Sequence, residues 1–140
     1  MKQDLIVTET KVRVRYGETD QMGFVYYGNY ALYYEVGRAD AMRHLGMTYR
    51  EMEEKGVVMP IVYMTSKYIR PAHYDNQLTI KTIIREVPSS RMHFYYEIYN
   101  EENTLLNLGE TILAFIKKEN GRPCAAPPWF LEKLKAFVGI

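Results

Sequence analysis

A chain of 140 residues, 47% hydrophobic and 25% charged, has the make-up of one globular domain over residues 1–140, and disordered, collagenous and coiled-coil chains are excluded. Lys plus Arg is 18 against 17 for Asp plus Glu, and a net charge of +1 makes no basic field for a nucleic-acid partner. The longest apolar run, residues 57–64, is broken by Pro60 and falls short of the ~18–20 residues of a membrane helix. The opening MKQDLIVTET lacks the apolar core of a secretory leader, and a lone Cys124 makes no internal disulfide, so the cytoplasm is the expected compartment.

Residues 8–16 alternate, with Val12, Val14 and Tyr16 on one face and Lys11, Arg13 and Arg15 on the other, which predicts a half-buried strand. Residues 17–28 carry three glycines and read as a loop. From 29 to 45 the spacing changes to three and four, with Tyr30, Tyr34, Gly37, Ala41 and Leu45 on one helical face. Asn29 is the expected N-cap and Gly46 the stop. Gly37, central on the apolar face, implies that another backbone packs close by. Thr48 and Glu51 form a capping-box pair that opens a second helix over 48–55.

Four strands are expected next, over 57–70, 77–87, 90–100 and 105–118, paired as a meander through short connections. Pro127–Pro128 then introduces a last helix, 129–137. One long helix facing five mostly antiparallel strands is an α+β arrangement, a sheet curled around a helix. Such a sheet leaves a face and an edge for a partner subunit.

Thirteen tyrosines stand out, five of them at 26, 27, 30, 33 and 34, and a large apolar ring with a polar tip suits a core, a half-wet pocket or an interface. The loop before the long helix combines an acid, Asp20, with Gly23, Gly28 and a following helix N-terminus, whose free N–H groups can hold a negative oxygen. Asp20 can serve there as nucleophile or general base, or simply cap the turn that the glycines bend. Glu35, on the helix itself, is the rival carboxylate, and Arg38 three residues on can pair with it. His44, His73 and His93 lack metal-ligand spacing, Cys124 has no activating histidine motif, and no metal site is expected. His73 is read as an exposed turn residue, and residues 58–62 as core strand or as acyl-pocket lining.

Three blocks carry a resemblance: Tyr16-x-Glu18-Thr19-Asp20-x-x-Gly23-x-Val25-Tyr26-x-x-Asn29-Tyr30 with Tyr34-Glu35-x-x-Arg38; Tyr68-x-x-Pro71-Ala72-x-Tyr74-Asp75-x-x-Leu78; and Gly121-Arg122-Pro123 before Pro127–Pro128. Together they resemble the hot-dog thioesterases of the 4-hydroxybenzoyl-CoA thioesterase and YbgC/FadM-like acyl-CoA thioesterase group. That resemblance implies a hot-dog fold and hydrolysis of an acyl-CoA or acyl-carrier-protein thioester without a cofactor, the alternative being a non-catalytic hot-dog module that binds an acyl thioester. It implies a homodimer or homotetramer with active sites between subunits. It puts the catalytic carboxylate on Asp20 and the oxyanion donor on the backbone N–H of Tyr27. Gly23, Gly28 and Asn29 fall at substrate-binding positions, and Ser90 and Arg91, after Ser89, at the coenzyme turn. Family members with several basic residues at that turn contrast with the single arginine here.

Overall fold

The computed structural model describes residues 4–140. Strand β1 (Ile6–Arg13) turns Ile6 and Thr8 inward, with Val14 buried just beyond its end. Tyr16 does not continue that face. The strand ends at Arg13 and the chain tightens into a 3₁₀ turn, Tyr16–Glu18, leaving the Tyr16 ring exposed and edge-on to Tyr74 at 5.6 Å.

A second 3₁₀ turn, Tyr27–Asn29, runs straight into helix α1 (Tyr30–Leu45). Asn29 is itself helical (φ −78, ψ −13) and makes no side-chain cap, so the helical path starts one turn earlier than the sequence predicts. The C-terminal stop is as expected: Gly46 sits at φ 85 and donates to Arg43, while Met47 donates to Met42. Helix α2 (Tyr49–Glu54) carries the expected capping box, with the Glu51 N–H donating to Thr48 Oγ1 at 3.1 Å.

The strand expected over 57–70 is two strands, β2 (Val57–Val58) and β3 (Ile61–Tyr68), separated by Met59 and Pro60. Proline has no N–H for a ladder, which is the local reason for the break. Strands β4 (Gln77–Ile84), β5 (Arg91–Tyr99) and β6 (Leu105–Lys117) follow, then β7 (Pro123–Cys124) and helix α3 (Pro128–Val138). Every pairing is antiparallel, and the five long strands run β1-β4-β5-β6-β3, with β2 and β7 also on β6. The expected meander therefore holds only for β4-β5-β6. The edge of β4 that faces away from β5 is taken by β1, so β3 pairs with β6 and the 69–76 connection crosses over instead of forming a hairpin.

Helix α1 lies on the concave side, where Leu78, Ile80, Thr82, Met92, Phe94, Tyr96 and Ile98 are all buried. This sheet wrapped around a central helix is the hot-dog arrangement. Gly37 sets the depth of the helix, because a Cβ there would meet Thr82 Oγ1 at 2.5 Å and Ile80 Cγ2 at 2.9 Å. The close neighbours are side chains of β4, not the backbone that the sequence implied. Tyr34, fully buried, stacks on Tyr96 at 4.4 Å and bonds to Ser66 and Asn107. Gly109 on β6 leaves the space for that ring. Arg38 is buried too, on the helix side shared with Tyr34 and Met42, and no ion pair joins it to Glu35 among the described residues.

Candidate active site

The loop between β1 and α1 closes on itself through Asp20. Its N–H donates to Phe24 O at 2.8 Å, its carbonyl accepts from Gly23 N–H at 3.0 Å, and its Oδ1 accepts from the N–H groups of Met22 (2.9 Å) and Phe24 (3.2 Å). Gly23, at φ 80, makes the reversal possible. One carboxylate oxygen is thus committed to the turn, and Oδ2 has no partner among the described residues. Turn capping, one of the two alternatives in the sequence, thus occupies one oxygen of the side chain and leaves the other available.

The loop is also zipped to the crossover connection. Val25 N–H donates to Ala72 O at 2.8 Å, and Phe24 pairs with His73 backbone to backbone, their rings 5.2 Å apart. These contacts bring Asp20 and the 27–29 turn to one open cavity of about 320 Å³, walled by Phe24, Val25, Tyr30, Tyr68, Ile69, Arg70 and Pro71. The Tyr27 and Gly28 N–H groups open the helical path and have no acceptor there, whereas Asn29 and Tyr30 already donate to Tyr26 and Tyr27. Tyr68 ties this wall to the turn, its hydroxyl donating to Tyr27 O at 3.4 Å and its ring edge-on to Tyr30 at 5.4 Å. Asp20, with one carboxylate oxygen uncommitted, and Tyr27, with its N–H unclaimed among the described residues, both line this mostly apolar cavity, an arrangement that can receive a polarised carbonyl.

Residues 14–134 match the model of the thioesterase-like superfamily. The chain belongs to the thioesterase-like superfamily. It is a thioester hydrolase, similar at 35% identity to YneP of Bacillus subtilis (strain 168), a match covering 93% of this chain and 97% of that protein. The acyl-CoA thioester hydrolase YbgC of Escherichia coli O6:H1 is 32% identical over 89% of this chain and 92% of its own. Among solved structures, a DHNA-CoA thioesterase from Staphylococcus aureus superposes with a TM-score of 0.85 at 32% identity, over 95% of this chain and 93% of the other.

Other residues singled out in the sequence of this thioesterase lie elsewhere. Gly23 shapes the Asp20 turn, and Gly28 packs beneath the Tyr26 ring, where a Cβ would meet Cε2 at 2.8 Å. Asn29 Nδ2 donates to Glu18 O at 2.9 Å, so its amide braces the loop and does not line the cavity. Ser90 and Arg91 line a pocket of about 200 Å³ with Glu86, Ser89 and His93 at the turn between β4 and β5. Tyr68 pairs with Asn107 and Arg91 with Ala114 along β6, so seven residues, about 23 Å of strand, separate that turn from the Asp20 cavity.

Glu35 borders a different cavity of about 370 Å³ with Arg38, Arg43, Tyr49 and Met59. It stands eight residues, about 12 Å of helix, past Tyr27. Of the 58–62 segment, the core-strand expectation fails at its far end: Val58 and Met59 are half-buried, while Ile61 and Val62 are more than 40% exposed on the edge strand β3. His73 is exposed, His44 bonds its own helix at Asp40 O, His93 stands 3.8 Å from Glu110, and Cys124 is half-buried and free. No helix among the described residues is long and apolar enough to cross a membrane. The cavity residues Tyr68, Ile69 and Arg70 were not singled out as site residues in the sequence. The only signal for them was the motif beginning at Tyr68, which gave no hint that the crossover lies against the 20–25 loop.

Proposed function

We propose that the chain hydrolyses acyl-CoA thioesters, with Asp20 acting on the thioester carbonyl and the Tyr27 N–H holding the oxyanion. The observation that carries this reading is that Asp20, with Oδ2 uncommitted, and Tyr27, with its N–H unclaimed, line one cavity. Oδ2 either attacks the carbonyl carbon, forming an acyl anhydride that water then cleaves, or takes a proton from a water that attacks. In both routes the C–S bond breaks, the sulfur leaves as the thiol after protonation, and the acyl group ends as a carboxylic acid. The names of YbgC and of the staphylococcal enzyme support the CoA ester as substrate. The single arginine at the Ser89–Arg91 turn favours a second reading, in which an acyl carrier protein delivers the acyl group and few phosphate contacts are needed.

The active site of this reading is completed by a second copy. Strand β3 pairs with β6 on one edge only, and its Ile61, Val62, Tyr63 and Met64 are all 41–51% exposed. An eight-residue apolar edge strand is a template for pairing unless something covers it. The Ser90–Arg91 turn, about 23 Å along β6 from the Tyr68 wall of the cavity, further supports a coenzyme that crosses between subunits, in a homodimer or homotetramer. The cytoplasm is its compartment in this reading, in keeping with a free Cys124.

Thiol release from a panel of acyl-CoAs, wild type beside Asp20→Asn, tests the assignment. Turnover on at least one acyl-CoA, lost by about 10² or more in a folded Asp20→Asn, is expected. Turnover that survives in Asp20→Asn overturns the role of Asp20 and makes Glu35 the next carboxylate to replace.

A further inference from the structure

We propose that Glu18 is the positioning residue of this active site, holding the Asp20 loop and the Tyr27 turn in one frame; the proposal rests on the roles of Asp20 and Tyr27 given above. Every oxygen of Glu18 is engaged. Its carbonyl accepts from Tyr26 N–H and from Asn29 Nδ2, each at 2.9 Å, so the residue two before Asp20 is bonded to the residue one before Tyr27. Its Oε1 accepts from the Tyr33 hydroxyl and from Arg15 N–H, both at 2.9 Å, and its Oε2 from Arg15 Nε at 3.0 Å and Nη2 at 2.9 Å.

The side-chain partners differ in weight. Arg15 is 81% exposed and its ion pair is screened by water, whereas the Glu18 side chain is 13% exposed and Tyr33 only 2%. Burial pushes the Glu18 carboxyl up, but the bonds from Arg15 N–H, the Tyr33 hydroxyl and the Arg15 guanidinium outweigh it and hold the carboxyl below its ordinary value of 4.5. Glu18 is therefore an ionised brace at neutral pH. It locks the first full turn of α1, through Tyr33, to the strand-to-loop junction, through Arg15.

A reacting carbonyl must meet Oδ2 and the Tyr27 N–H together, and a displacement near 1 Å between them costs rate without removing either group. Glu18 is not among the residues that line the cavity, so its effect is expected in kcat. Glu18→Ala is expected to lower kcat about ten- to hundredfold with KM within about threefold, and Glu18→Gln, which can still accept from Tyr33, to restore most of it. Tyr33→Phe is expected to lower kcat in the same direction and to add nothing on top of Glu18→Ala, since both cut the same bond.

Wild-type kcat in folded Glu18→Ala overturns the proposal, as does full additivity of the two changes. If Glu18→Ala does not fold, Glu18→Gln and Tyr33→Phe decide, and unchanged kcat in Tyr33→Phe overturns it. Asp20→Asn run alongside separates the two claims. An active Asp20→Asn sinks the site assignment itself, while an inactive Asp20→Asn beside a fully active Glu18→Ala sinks only the role of Glu18.

Discussion

Gly109→Ala is the substitution whose consequence the packing fixes most closely. An added Cβ would stand 2.7 Å from Tyr34 Cε2 and closer still to Cζ and Oη. The ring cannot step aside, because it is fully buried, stacked on Tyr96, and bonded to Ser66 and to the fully buried Asn107. Overpacking of this kind costs about 1–3 kcal/mol. Displacing the hydroxyl leaves buried Asn107 short of a partner, about 1–3 kcal/mol more. Alanine recovers about 0.5–1 kcal/mol of backbone entropy relative to glycine in a strand. The net destabilisation is about 3 kcal/mol, or roughly 10 °C in Tm for a chain of this size. Urea unfolding followed by tyrosine fluorescence measures it, with Gly28→Ala as the control. There the added Cβ meets only the Tyr26 ring, which is 46% exposed and, among the described residues, has its one ring contact with the exposed Tyr27, so a change under about 1 kcal/mol is expected. A Gly109→Ala protein within 1 kcal/mol of wild type, or a Gly28→Ala protein equally damaged, would refute the reasoning.

Alkaline stability follows from the tyrosines. Burial pushes the hydroxyls of Tyr30, Tyr33, Tyr34, Tyr49 and Tyr96 up, that of Tyr34 to about 12. Raised in the folded chain, these groups contribute stability that is complete below their ordinary value of 10 and lost as pH rises from 10 toward 12, so the urea midpoint is expected to fall above about pH 10, and a flat midpoint there contradicts it. If the proposed dimer or tetramer forms through β3, Val62→Lys with Met64→Lys is expected to give monomers with loss of turnover, read by sedimentation; a wild-type sedimentation coefficient in the variant refutes that interface. Arg91→Ala is expected to raise KM for an acyl-CoA about three- to tenfold with kcat kept, and a loss confined to kcat argues against a coenzyme contact there.

Much of the fold was legible because it follows from local pattern. The period-two runs Leu78-Ile80-Thr82-Ile84 and Met92-Phe94-Tyr96-Ile98 are the buried faces of β4 and β5, and Tyr30, Tyr34, Gly37, Ala41 and Leu45 are all buried on α1. Gly46 and the Thr48–Glu51 box end and begin helices as read, since each acts within one turn of itself. The element order was enough for one sheet around one helix.

Tertiary structure decided what depends on residues far apart in the chain. Which strand takes the open edge of β4 is a competition between β1 and β3 that no local pattern encodes, and β1 takes it. That outcome sends residues 69–76 across to the 20–25 loop and makes Tyr68 to Pro71 a wall of the cavity. It also leaves β3 as an edge strand, although its composition reads as core. Arg38 was spaced to pair with Glu35, but helix rotation is set by Gly37 against β4, and this turns the guanidinium inward. Asp20 stood out in the sequence as an acid in a glycine-bent loop before a helix, and Tyr27 only through the family resemblance. That one oxygen of Asp20 is held by the turn while the other stays free, and that Glu18 braces both halves, follows only from where the folded chain places Phe24, Tyr26 and Tyr33.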